Sequence, residues 1–203
     1  MSHRRAGGVR GARGVRGVRG VRIMGGEARG RAVAVARGVR PTEGRVREAL
    51  FSIWQERLPG ARFLDLYAGS GAVGLEALSR GAAAVLFVES DPRALRELER
   101  SVGLFAPERA RRWRASLPGG LGELARRAGS EWDRFDLVFA DPPYAFEAHP
   151  RLLAGIEPLL APEGEAAIEH SARRELPEES SGLARASVRV YGETALSFYS
   201  RRK

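Results

Sequence analysis

The stretch LDLYAGSGAVG (64–74) decides the fold of this 203-residue chain. Its first part reads as a buried strand, and Gly69-Ser70-Gly71-Ala72-Val73-Gly74 satisfies the GxGxxG pattern of a strand-to-helix turn. Outward from it, strand-like and helix-like segments alternate. Strands are expected at 62–67, 84–89, 110–115, 137–140, 165–169, 187–191 and 195–200, and helices at 73–79, 92–102, 121–128 and 150–160. Such alternation with short connections implies an α/β fold, a Rossmann-like parallel sheet with helices on both faces. The last two strands, joined by Gly192-Glu193-Thr194, read as an antiparallel hairpin closing one edge. Upstream, Val46, Leu50, Ile53, Trp54 and Leu58 recur at helical spacing over 44–58, with Thr42 as the expected N-cap.

The glycine pattern alone also fits a nicotinamide-dependent dehydrogenase. There the glycines and the helix N-terminus receive a pyrophosphate, an anion. Asp65, four residues before Gly69, argues for a ligand of opposite charge. S-adenosylmethionine has no phosphate and presents an α-amino group and a sulfonium. Asp65 is therefore expected to serve the amino-acid end of this cofactor, directly or through water. Tyr67, Ala68, Gly69, Ser70 and Gly71 would line the same turn, the glycines letting the backbone approach the ligand. Glu89 closes the next strand in VLFVESD, 18 residues beyond Gly71, where both of its oxygens are expected to accept ribose hydroxyls. Ser90 would flank the adenine, and Asp91 fits as the cap of the helix that begins at Pro92.

Asp141-Pro142-Pro143-Tyr144 follows the strand at 137–140 and is the most specific signal in the chain. An exocyclic amine on a nucleobase is a poor nucleophile because its lone pair is delocalised into the ring. The Asp141 carboxylate and the Pro142 carbonyl, as paired acceptors for the N–H groups, would draw that nitrogen toward tetrahedral geometry. Two prolines fix the backbone and remove N–H donors that would compete. Tyr144 offers a face on which an extruded base can stack. Methyl transfer to an amine needs positioning and no covalent intermediate.

The composition narrows the chemistry further. There is no cysteine, which excludes pyrimidine C5 methylation by covalent Cys attack, and His3, His149 and His170 are too scattered for an expected metal site. No apolar run approaches the roughly 20 residues that span a bilayer, so a soluble, cytoplasmic protein is expected. The net charge of +9 is segregated, with the first 47 residues carrying thirteen Arg against Glu27 and Glu43. Residues 8–22 are five copies of a GVR-like unit without helical or strand periodicity, and 1–21 is expected to be a disordered Arg/Gly tail. An RNA-binding arm, a repeat expansion and an upstream start codon all account for it. Residues 22–37 read as a small β-hairpin around Gly25-Gly26 and Gly30, decorated by Arg29, Arg31 and Arg37, and 22–203 as one domain.

From Arg22 onward the chain resembles the bacterial 16S ribosomal RNA guanine-N2 methyltransferases of the small-subunit methyltransferase D type. The resemblance rests on RIMGGEARGR (22–31), GVRPTEGRVREALF (38–51), LDLYAGSGAVGLEALSRGA (64–82), FVESD (87–91), DLVFADPPY (136–144) and YGETALSFYSRR (191–202). It implies the class I methyltransferase fold, seven strands in the order 3-2-1-4-5-7-6 with strand 7 antiparallel. It also implies S-adenosylmethionine as cofactor and guanine N2 of 16S rRNA as target, within the small ribosomal subunit or its assembly intermediate. A monomer without metal or membrane is expected. Arg40, Thr42 and Arg45 would lie near cofactor or RNA, and the 22–37 hairpin would contact RNA. Where the family usually has Asp or Asn beside the adenine, this chain has Ala115-Ser116, which leaves that contact to Ser116 or to backbone. An adenine-N6 DNA methyltransferase and a non-catalytic ribosome-assembly factor are the alternatives. The first would need a target-recognition domain that the chain lacks, and the intact Asp65, Glu89 and Asp141 weigh against the second.

Overall fold

The computed structural model describes residues 20–34, 44–105, 107–127 and 134–202. Most of the Arg/Gly tail lies outside them, as do Arg37, Arg40 and Thr42, and with them the N-cap and cofactor role expected of Thr42.

An N-terminal ribbon pairs β1 (Gly20–Arg22) with β2 (Ala32–Ala34), antiparallel, with Val21 opposite Val33. The last GVR unit of the repeat is thus a strand, two residues upstream of the hairpin start expected from sequence. Helix α1 (Gly44–Ile53) follows, and hydrogen-bonded turns from Trp54 to Leu58 carry its spiral to Pro59. Val46, Leu50, Trp54 and Leu58 are buried as their spacing requires, whereas Ile53 is exposed.

The body alternates β3 (Arg62–Leu66), α2 (Ala72–Ser79), β4 (Ala84–Glu89), α3 (Pro92–Phe105), β5 (Ala110–Arg114), α4 (Leu121–Arg127), β6 (Phe135–Ala140), α5 (His149–Ile156) and β7 (Leu160–Ser171). It ends in β8 (Glu179–Ser180), β9 (Leu183–Tyr191) and β10 (Thr194–Arg201). The eight-stranded sheet runs β5-β4-β3-β6-β7-β10-β9-β8. The order 3-2-1-4-5-7-6 holds when strands are counted from β3, with the two-residue β8 added at the edge. Strands β3 to β7 are parallel, and β10 lies antiparallel between β7 and β9.

Helix α5 is shorter than its apolar pattern suggests. Pro158 lacks the N–H that would continue it, and the chain tightens into a 3-10 turn at Glu157–Leu159 before β7 begins. Alternating side chains divide the sheet into two cores. Phe63, Phe87, Phe139 and Phe198 face α1, α2 and α3 on one side, with Trp54 edge-on to Phe63 and Phe198. Leu64, Leu66, Val138 and Ile168 face α4 and α5 on the other. Gly74 lies so close to β4 that a Cβ there would meet Phe87 Cε1 at 2.2 Å, so the third glycine of the motif serves close helix–strand packing. Because β4 lies on one side of β3 and β6 on the other, a crevice opens beyond the C-terminal ends of these strands, where ligands bind in open α/β sheets.

Candidate active site

Three carboxylates converge on that crevice. Asp65 in β3 is 2% exposed, and its Oδ2 accepts the Gly74 N–H at 2.9 Å, tying the strand to the first turn of α2. Burial holds its carboxyl well above the usual carboxylate range; the Gly74 N–H opposes that rise, and the charges of Asp141 and Glu89 add to it. Such a cluster of acids repels a pyrophosphate and gains from a ligand that brings positive charge, so the donor set fits S-adenosylmethionine and disfavours a dinucleotide.

The loop between β3 and α2 is bound from the β4 side. Ala68 N–H donates to the Val88 carbonyl at 3.0 Å, and Gly69 N–H to Glu89 Oε2 at 2.8 Å. Tyr67 holds a left-handed backbone (φ 58°), strain of about 1–3 kcal/mol for a bulky residue. Its ring packs edge-on to Phe146, and its buried hydroxyl has no hydrogen-bond partner among the described residues. Ser70 is buried, and Gly71 is left-handed (φ 75°). A Cβ on Gly71 would meet Leu98 Cδ1 of α3 at 2.2 Å, so this glycine makes room for a helix of the protein itself.

Glu89 departs from the expectation of two free oxygens. Its Oε1 accepts the N–H groups of Ser90 and Asp91 and the Ser90 hydroxyl, and its Oε2 accepts Gly69 N–H. With about four lone-pair sites on a carboxylate, Oε2 retains capacity for one more donor and Oε1 is full. Asp91 caps α3 as its position suggests, its Oδ1 accepting Arg93 N–H at 2.8 Å. Ser116 follows β5 on the surface, its carbonyl accepting Gly120 N–H.

Asp141 continues the β3–β6 ladder, its N–H donating to the Leu66 carbonyl at 3.4 Å, and is half-buried next to the acid cluster. Pro142 is buried and Pro143 exposed; the Pro143 carbonyl accepts Phe146 N–H and closes a turn. Tyr144 is 48% exposed, and its hydroxyl lies 3.1 Å from Oγ1 of buried Thr194, which restrains the ring.

Behind this turn lies a cavity lined by Asp141, Tyr144, His149, Glu169, His170 and Arg174, among others. The sequence did not single out its back wall. The available signal was Glu169-His170 at the end of an apolar strand parallel to the one that delivers Asp141. His170 Nε2 contacts Ser197 Oγ at 2.8 Å and Nδ1 the Ser171 carbonyl at 2.9 Å. Burial also keeps the histidines neutral, with His149 pushed down to about 4, assisted by Arg174 and His170, and His170 lowered as well.

The family described as "Conserved hypothetical protein 95" matches residues 21–200. YlbH of Bacillus subtilis (strain 168), provisionally named an rRNA methyltransferase, is 32% identical over 186 residues, 89% of this chain and 99% of its own. Ribosomal RNA small subunit methyltransferase D of Escherichia coli (strain K12) is 38% identical over 125 residues, 61% of this chain and 60% of that protein. Among solved structures, yhhF from Escherichia coli, provisionally named a methyltransferase, has a TM-score of 0.77 at 31% identity, covering 90% of this chain and 98% of that one. The hypothetical protein TTHA0928 of Thermus thermophilus has a TM-score of 0.74 at 38% identity, covering 88% and 98%.

Proposed function

Because the chain belongs to the Conserved hypothetical protein 95 family, that of ribosomal RNA small subunit methyltransferase D, we propose that it methylates the exocyclic N2 of a guanine in 16S rRNA. The substrate in this reading is the small subunit or its assembly intermediate, S-adenosylmethionine is the donor, and the enzyme is a cytoplasmic monomer without metal. The observation that carries the reading is the meeting of Asp141-Pro142-Pro143-Tyr144 with the Asp65–Glu89 acid cluster at one end of the sheet.

S-adenosylmethionine, when bound, supplies an electrophilic methyl group on a sulfonium. Asp65 would hold its amino-acid end, and Glu89 would accept a single ribose hydroxyl through Oε2. Loop 67–71, Ser90 and Ser116 would flank the nucleoside, and the family resemblance would put Thr42 near the cofactor. Asp141 and the Pro142 carbonyl accept the N–H groups of the target amine and direct its lone pair, while Tyr144 stacks on the extruded base. The proton released from nitrogen passes to Asp141 or to water. Exposed Arg29, Arg31 and Arg45 provide phosphate contacts beside the N-terminal ribbon.

The test is methyl transfer from labelled cofactor to small subunits lacking the modification, run beside unmethylated DNA. Label in the rRNA, abolished by Asp141→Ala while S-adenosylhomocysteine still binds, is expected. Label only in DNA, or unchanged turnover in Asp141→Ala, would overturn the reading.

A further inference from the structure

We infer that Glu169 reads the ring N–H next to the amine held by Asp141, and so sets the site for guanine against adenine and cytosine. The inference rests on the guanine-N2 reading and names a residue that enforces it. Strands β6 and β7 are parallel, with Ala140 opposite Ile168, so Asp141 and Glu169 are the next residues of neighbouring strands, about 4.8 Å apart. Side-chain alternation puts both on the face of Phe139 and Ala167. Glu169 is 5% exposed, yet it lines the same cavity as Asp141 and Tyr144.

Base chemistry gives this second carboxylate its meaning. The N2 amine of guanine is flanked by N1–H, a donor. The N6 amine of adenine and the N4 amine of cytosine are each flanked by a ring nitrogen with a lone pair. An ionised carboxylate accepts and does not donate. With the amine on Asp141, an ionised Glu169 gains a charge-assisted hydrogen bond from guanine and faces lone-pair repulsion from adenine or cytosine. Both ring nitrogens of His170 are engaged by Ser171 and Ser197, and the Arg174 guanidinium is among the cavity's remaining donors for guanine O6.

The experiment compares the full-length wild type with Glu169→Gln on small-subunit particles reconstituted with 16S rRNA carrying either guanine or 2-aminopurine at the mapped target. 2-Aminopurine keeps the amine but has a lone pair at N1 and no O6. Wild type is expected to favour guanine in kcat/KM by tenfold to a hundredfold, roughly one charge-assisted hydrogen bond. In Glu169→Gln, whose amide can also donate, that preference is expected to fall about tenfold or more, to the share carried by O6, while S-adenosylhomocysteine affinity stays unchanged. An equal preference in both proteins overturns the role of Glu169 and leaves the guanine-N2 reading standing. Failure of wild type to methylate guanine at all overturns that reading first.

Discussion

Asp65 anchors the fold and, in the proposed reading, also meets the ligand. Oδ2 anchors α2 through Gly74, and the acid sits among Asp141 and Glu89, where its charge is costly until a cation arrives. Asp65→Asn keeps an acceptor for Gly74 and discards the charge. Its melting temperature should match or exceed that of wild type, while calorimetry should show S-adenosylhomocysteine bound roughly tenfold to a hundredfold more weakly, the scale of one hydrogen bond to a charged group. Unchanged affinity would assign Asp65 to the fold alone. The identities of Asp65, Glu89 and Asp141 were legible because few residue types suit a cationic ligand or an amine. The filling of Glu89 by backbone N–H groups was not, because it depends on where the 67–71 loop lies. The packing role of Gly71 was hidden for a similar reason: the atom its missing Cβ makes room for belongs to Leu98, twenty-seven residues away in sequence.

At the scale of elements, the N-terminal ribbon is built into the domain. Glu76, fully buried in α2, accepts the N–H groups of Met24 and Gly25 at 2.8 Å each, and Arg47 and Arg80 lie against it. Ser79 donates to the Gly25 carbonyl and accepts Ala28 N–H, and Gly26 adopts φ 77°, with no room for a Cβ beside the Ser79 carbonyl. The helix that starts at the 67–71 loop therefore ends by gripping the ribbon proposed to meet RNA. Ser79→Ala leaves the buried Ala28 N–H and the part-buried Gly25 carbonyl without their partner, so it should lower stability by about 1–3 kcal/mol in urea unfolding and speed hydrogen exchange at the Ala28 amide. Normal protection there would mean the ribbon is held otherwise. The turn residues Gly25-Gly26 and Gly30 were legible in sequence; the docking was not, since a Glu and a Ser inside a helix read as solvent-facing until α2 proves buried on every side.

For the whole molecule, the parallel sheet with helices on both faces followed from β-α alternation, because parallel strands need crossovers, whereas the strand order came only from the family resemblance. Strand β8 escaped notice because two residues carry no periodicity. The cavity wall of His149, Glu169, His170 and Arg174 escaped because it forms only when β7 pairs with β6 and α5 folds back. Its histidines make stability depend on pH. Between 6.5 and about 4 the unfolded chain binds a proton at His149 that the folded chain does not, so stability falls as pH falls through that window. Asp65, whose folded carboxyl stays protonated to higher pH, acts in the opposite sense. The His149 share is therefore read as a difference: wild type should lose about 2 kcal/mol more than His149→Gln between pH 7 and pH 4.5. Equal losses would show that His149 does not stay neutral in the folded protein.

A methyl group placed on guanine N2 in 16S rRNA is read out by mass-spectrometric mapping of 16S rRNA from cells lacking the gene. One N2-methylguanosine should be missing, restored by the wild-type gene and not by Asp141→Ala. An rRNA methylation map identical with and without the gene, or a missing methyl group on adenine or cytosine, would contradict the account.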